Sequence, residues 1–149
     1  MKAKLFLAMM LVLAAASCGN RGQQSSTEQT SGEFAGLEES YNANPADTSA
    51  LKALARAYAG AGRIDDAIDL AVKLGAVVDE SSDHMTGLYE QGMFMAELYR
   101  SVGDEESAQM ALEDARIFIS RQAWGELSED EKALMEKLLE NIAIEAGGE

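Results

Sequence analysis

The chain has 149 residues with 12 basic and 26 acidic side chains, a single histidine and a single cysteine. An excess of acid this large, with no Lys/Arg cluster, excludes a nucleic-acid footprint. One cysteine excludes an internal disulfide, and one histidine excludes any multi-histidine metal centre.

The segment from Met1 to Ser17 reads as an export signal. Lys2 and Lys4 precede an unbroken apolar run from Leu5 to Ala16, which ends at Ser17-Cys18-Gly19-Asn20. The run is 12 residues long, and a membrane-spanning helix needs about 20. Removing the signal takes away two lysines and no acid, so the mature chain is more acidic still than the full one, whose formal charge is −14. From Gly19 to Gly32 the chain is Gly, Asn, Gln, Ser and Thr with scattered charge and no apolar residue. Such a stretch cannot bury a core, and its mean reach as a flexible tether is about 20 Å. The domain organisation read from the sequence is therefore signal 1–17, tether 18–32 and helical domain 33–149.

Ala15-Ala16-Ser17-Cys18 resembles the lipobox of bacterial lipoproteins, and the Ser-Cys-Gly-Asn junction resembles lipoproteins of the Bacteroidetes group. The family prefers Leu where this chain has Ala15. The resemblance implies cleavage before Cys18 and a thioether from Cys18 to diacylglycerol, the only prosthetic group expected. At about 0.8 kcal/mol per buried methylene, two or three acyl chains anchor the protein permanently. Gly19 after the cysteine, without an acidic run, implies the outer membrane and its periplasmic face.

The remainder reads as helix throughout. Phe34, Leu37 and Tyr41 mark a short helix before Asn44-Pro45. Leu51, Leu54, Ala55 and Tyr58 form an i, i+3, i+4, i+7 stripe, and Ile64, Ala67, Ile68, Ala71 and Gly75 form a second. Leu88, Gly92, Met95, Ala96, Tyr99 and Val102 form a third, and Ala108, Ala111, Leu112, Ala115 and Ile119 a fourth. Leu134, Leu138 and Ile142 give the last, which opens on the capping box Ser128-x-x-Glu131. Breaks are predicted at Gly60–Gly62, Asp79–Asp83, Val102–Asp104 and Gly125, with Trp124 packed at the last junction.

Two of these helix pairs are copies of one pattern. Leu54-Ala55-x-x-Tyr58-x-x-x-Gly62 and Ala67 recur as Met95-Ala96-x-x-Tyr99-x-x-x-Gly103 and Ala108, with one interval separating every matched position. The pattern resembles the tetratricopeptide repeat, although that repeat is usually about 34 residues long and the interval from Tyr58 to Tyr99 exceeds it. The surplus falls near Asp79–Met85. The resemblance implies an all-α fold of antiparallel helix-pair repeats with a C-terminal capping helix. It also implies a binding groove lined by first-helix residues, here Lys52 and Arg56 in one copy and Glu90, Met93, Glu97 and Arg100 in the next. Three cations on one face of an acidic protein suit an acidic or C-terminal carboxylate group. Lys52 and Arg56 stand i, i+4 and repel, which favours a partner that neutralises them.

Reactive chemistry is sparse, and the chain reads as a non-enzyme. Asp79, Ser81, Asp83 and Glu90 occupy positions 1, 3, 5 and 12 of a calcium-loop spacing, but His84 stands where that loop needs glycine. His84, Met85, Met93 and Met95 could suggest a soft-metal site, but methionines at helical spacing are read as core. The function expected is a membrane-anchored periplasmic scaffold for a protein or peptide partner. The alternatives are a structural accessory subunit of an envelope complex and a calcium-binding helical module.

Overall fold

The computed structural model describes residue 32 and residues 34–147. The chain divides into two units, Met1–Gly36 and Leu37–Glu149. Of the first, the described residues are helical. Helix α1 covers residues 34–43. It is followed by α2 (Thr48–Gly60), α3 (Ile64–Ser81), α4 (His84–Ser101), α5 (Glu105–Ser120), a 3₁₀ turn (Trp124–Glu126) and α6 (Glu129–Glu145). The described residues contain no strand.

Each boundary has a local cause. Asp47 caps α2 by accepting from the amides of Ser49 and Ala50 at 2.9 and 3.2 Å. Asp104 caps α5 through the Ser107 amide at 3.0 Å. Ser128 and Glu131 form the reciprocal capping box expected from the sequence. The turns after α2 and α4 are the same structure built twice. Gly62 and Gly103 have φ of 78° and 80°, a conformation that costs other residues strain. Arg63 N–H donates to the Tyr58 carbonyl and Asp104 N–H to the Tyr99 carbonyl, each at 2.9 Å. That is the Schellman closure, and it uses carbonyls the helix end leaves unpaired.

Sequential helices pack antiparallel as neighbours, and α2 also touches α4, as α4 touches α6. Alternate helices therefore form a row. Helix α4 is central, which explains a difference from the sequence reading. Gly92 and Ala96 of the predicted stripe are buried, but Val102 is 44% exposed, and Phe94 and Leu98 are buried instead. A helix with neighbours on two sides buries two stripes, so a search for one periodic face finds only part of its core.

The contacts on α4 are close because the facing residues are small. A methyl placed on Gly92 would stand 2.4 Å from Ala115 Cβ. One on Gly87 would stand 2.7 Å from the Gly75 carbonyl oxygen of α3. Ala55, Ala67, Ala96 and Ala108, the repeated alanines, are all buried.

Two further expectations are corrected. The break at Asp79–Asp83 shrinks to Ser82–Asp83, because α3 and α4 each extend to 18 residues. The residues between the two Tyr–Gly patterns thus lengthen the helices rather than form a loop. Trp124 is not packed away: it is 47% exposed, with the Lys132 ammonium 5.8 Å above its ring.

Candidate functional site

The row α2–α4–α6 carries the residues expected to bind a partner. Lys52 Nζ meets Glu90 Oε2 at 2.9 Å. Arg56 makes a two-pronged contact to Glu97, with Nε–Oε1 at 2.6 Å and Nη2–Oε2 at 3.1 Å. Both cations also lie over the Phe94 ring, 5.6 and 5.3 Å from its centre. Phe94 is itself buried, so its face closes the seam between α2 and α4. The Glu97 carboxylate accepting from Arg56 raises the guanidinium pKa, against a smaller opposing effect of burial.

Arg100 lies further along, at the α4–α6 seam. It contacts both carboxylate oxygens of Glu105 at 3.3 Å, the Glu145 carboxylate, and the Glu145 main-chain carbonyl at 3.0 Å. Met93 is half-buried against the apolar cluster of α4, α5 and α6.

The face is therefore a ladder of cross-helix ion pairs. The repulsion between Lys52 and Arg56 is answered within the chain, by Glu90 and Glu97. The acids stand 38 and 41 residues after their cations, two helices on. That spacing is legible in the sequence, but only once α2 and α4 are known to be neighbours. Arg56 and Glu97 are 54% and 49% exposed, so such a pair contributes about 0.2–1 kcal/mol and can be exchanged for another.

Two clefts open elsewhere on the helices. One of about 260 Å³ lies among α1, α2 and α3, lined by Glu38, Tyr41, Tyr58, Asp69 and Lys73 among others. The other, of about 110 Å³, lies between α4 and α5, lined by Leu88, Met95, Asp114 and Phe118 over a floor of Gly92, Ala111 and Ala115. They share three lining positions at the interval that separates Tyr58 from Tyr99: Leu54 and Met95, Leu70 and Ala111, Lys73 and Asp114. The same place on successive pairs thus has opposite charge and different polarity. Neither cleft was signalled by the sequence reading, because each is assembled from positions on separate helices.

In the larger cleft the Tyr58 hydroxyl donates to Glu38 Oε1 at 2.6 Å, and the Arg63 guanidinium lies 4.1 Å from the Tyr58 ring centre. Arg63 is held in turn by Asp66 at 2.7 Å. Burial, reinforced by the Glu38 carboxylate, pushes the Tyr58 pKa up.

The calcium-loop spacing is not realised as a loop. Asp79 and Ser81 lie in α3, Glu90 lies in α4 where it pairs with Lys52, and Asp83 caps α4. His84 Nδ1 is 3.4 Å from the Asp79 carboxylate, and both side chains are exposed. Among the described residues no three His, Cys, Asp or Glu side chains converge to hold a metal. No described helix is long and apolar enough to cross a membrane. Cys18 lies outside the described residues.

Comparison with protein-family models, curated proteins and solved structures returns no match for this chain.

Proposed function

We propose that the chain is a lipid-anchored, tetratricopeptide-like binding module that holds a protein partner at the outer membrane, on its periplasmic face. It is a binding protein rather than an enzyme. The anchor is the lipid on Cys18, and the stretch up to residue 32 is the tether. The observation that carries the reading is the recurrence, at one fixed interval, of a Schellman turn, a buried alanine and a cleft position. Repeated helix pairs of this kind present extended surfaces rather than closed active sites. On the α2–α4 face a partner carboxylate would displace Glu97 from the Arg56 fork or Glu90 from Lys52. One exposed pair replaces another, so the exchange costs little.

The test is a charge swap. Arg56→Glu alone and the pair Arg56→Glu/Glu97→Arg are each cross-linked in cells and the recovered partners compared with wild type. If the face binds an acidic partner, recovery falls in both variants, because the swap restores the ladder but moves the cation. Full recovery in the swap, after loss in the single reversal, would mean that the pair only locks α2 to α4. That outcome would favour the second reading, an accessory subunit that docks through another surface. The reading has an observation of its own: Lys52, Arg56 and Arg100 all have acidic partners within the chain.

A further inference from the structure

We infer that the cleft among α1, α2 and α3 is a receptor for a small zwitterion, a molecule of amino-acid to dipeptide size carrying one ammonium and one carboxylate. This inference is independent of the partner face. The cleft has the volume for such a ligand, about 260 Å³, just below the usual range of drug-sized sites.

Its walls are preorganised. Tyr58 is fixed at both ends, by Glu38 on its hydroxyl and by Arg63 over its ring. Arg63 is fixed by Asp66. These contacts orient Tyr58 as an aromatic wall of the cleft, which lowers the cost of ordering it when a ligand enters.

The remaining two charges are left open. Asp69 and Lys73 stand i, i+4 on α3, acid before base, the order that normally pairs. They do not pair, and neither has an ion-pair partner among the described residues. Lys73 instead reaches toward α1, with its ammonium 6.0 Å from the Tyr41 ring centre. That contact is at the outer limit for such an interaction. Both side chains line the cleft, with Leu54 and Leu70 among its apolar residues. A carboxylate therefore finds Lys73, with the Asn42 amide also in the lining, while an ammonium finds Asp69. An uncharged or singly charged ligand would satisfy at most one of the two poles. The second repeat has Asp114 where this cleft has Lys73, and it contributes no tyrosine to its smaller cleft, so the receptor belongs to the first pair alone.

The probe is L-leucine, titrated into the isotope-labelled full chain in detergent micelles and followed by NMR. Leucinamide keeps only the ammonium and N-acetyl-leucine only the carboxylate. Leucine is expected to shift Tyr41, Tyr58, Asp69 and Lys73 resonances saturably, with each one-charge analogue at least about tenfold weaker. Lys73→Gln should abolish the preference for leucine over leucinamide, and Asp69→Asn the preference over N-acetyl-leucine. Neither side chain is part of the buried core, so an unchanged helical spectrum in each variant shows that the fold is intact. No saturable shift up to about 10 mM leucine, or equal shifts from all three probes, would overturn the inference.

Discussion

Gly92→Ala tests the packing of the central helix with a single methyl. Two effects oppose each other. Replacing a glycine inside a helix by alanine favours folding by about 1 kcal/mol. The added carbon, however, would stand 2.4 Å from Ala115 Cβ and 3.2 Å from the Ala111 carbonyl oxygen. Carbon atoms rest at about 3.5–4.0 Å, so α4 and α5 must separate by more than about 1 Å. Forcing an extra methyl into a tight interface costs about 1–3 kcal/mol. Here the neighbour is a short alanine side chain that cannot swing aside, which places the cost near the upper end. The net expectation is a destabilisation of about 1–2 kcal/mol, or a fall in Tm of about 3–8 °C for a domain of this size. Urea denaturation followed by helical circular dichroism measures it, with an unchanged slope showing that the same surface unfolds. Gly92→Ala/Ala115→Gly moves the methyl across the seam and should return most of the loss, since the helix propensities cancel. Gly60→Ala, where an added methyl meets nothing within 4 Å, should instead gain about 0.5–1 kcal/mol. A Gly92→Ala protein as stable as wild type, or a double variant no better than the single one, would refute the close α4–α5 contact.

Three further outcomes are expected. Ala96→Leu puts a large side chain at a fully buried position and should cost about 1–3 kcal/mol, so an unchanged urea midpoint would contradict the repeat-like packing there. Asp83→Ala removes the acceptor for the Thr86 amide and hydroxyl, at 2.8 and 2.7 Å, and should cost about 0.5–2 kcal/mol near neutral pH. Burial alone would raise the Asp83 pKa, but the bonds from Thr86, Ser82 and Met85 outweigh it and hold the carboxyl below its ordinary value of 3.8. The contribution is therefore complete above that value and is lost as the pH falls through the lower native one. The stability gap between wild type and Asp83→Ala should narrow only in that acidic window, and a gap constant down to about pH 2 would count against the cap. Finally, the wild type should incorporate labelled palmitate and partition with detergent while Cys18→Ala does neither; equal labelling would remove the lipid anchor.

Much of the local structure was legible in the residues themselves, because its causes are local. The capping box at Ser128 and Glu131, the turns at Gly62 and Gly103, and the 3.6-residue stripes need only a few neighbouring residues to be specified. The identical closure of the two turns follows from the regular recurrence of Tyr and Gly. The length of α3 and α4 was less legible: the polar run Asp79–Asp83 reads as a loop, yet most of it continues the helix. Ser, Asp and Glu tolerate a solvated helix face when packing on the other side holds the helix in place.

Which side chains meet is a matter of packing. Residue order places Lys52, Arg56, Glu90, Glu97 and Arg100 on one face, but leaves the cations looking free. Folding sets α2 beside α4 and α4 beside α6, and each cation then finds a carboxylate two helices away. Similarly, Phe94 and Leu98 lie off the single stripe that periodicity selects, and they are buried because α4 has neighbours on two sides. The cleft with Asp69 and Lys73 arises where three helices converge. Local patterns record how a segment curls and which face is apolar. Pairing, cleft shape and the fate of a charge depend on residues far apart in the chain, whose proximity exists only once the helices have packed.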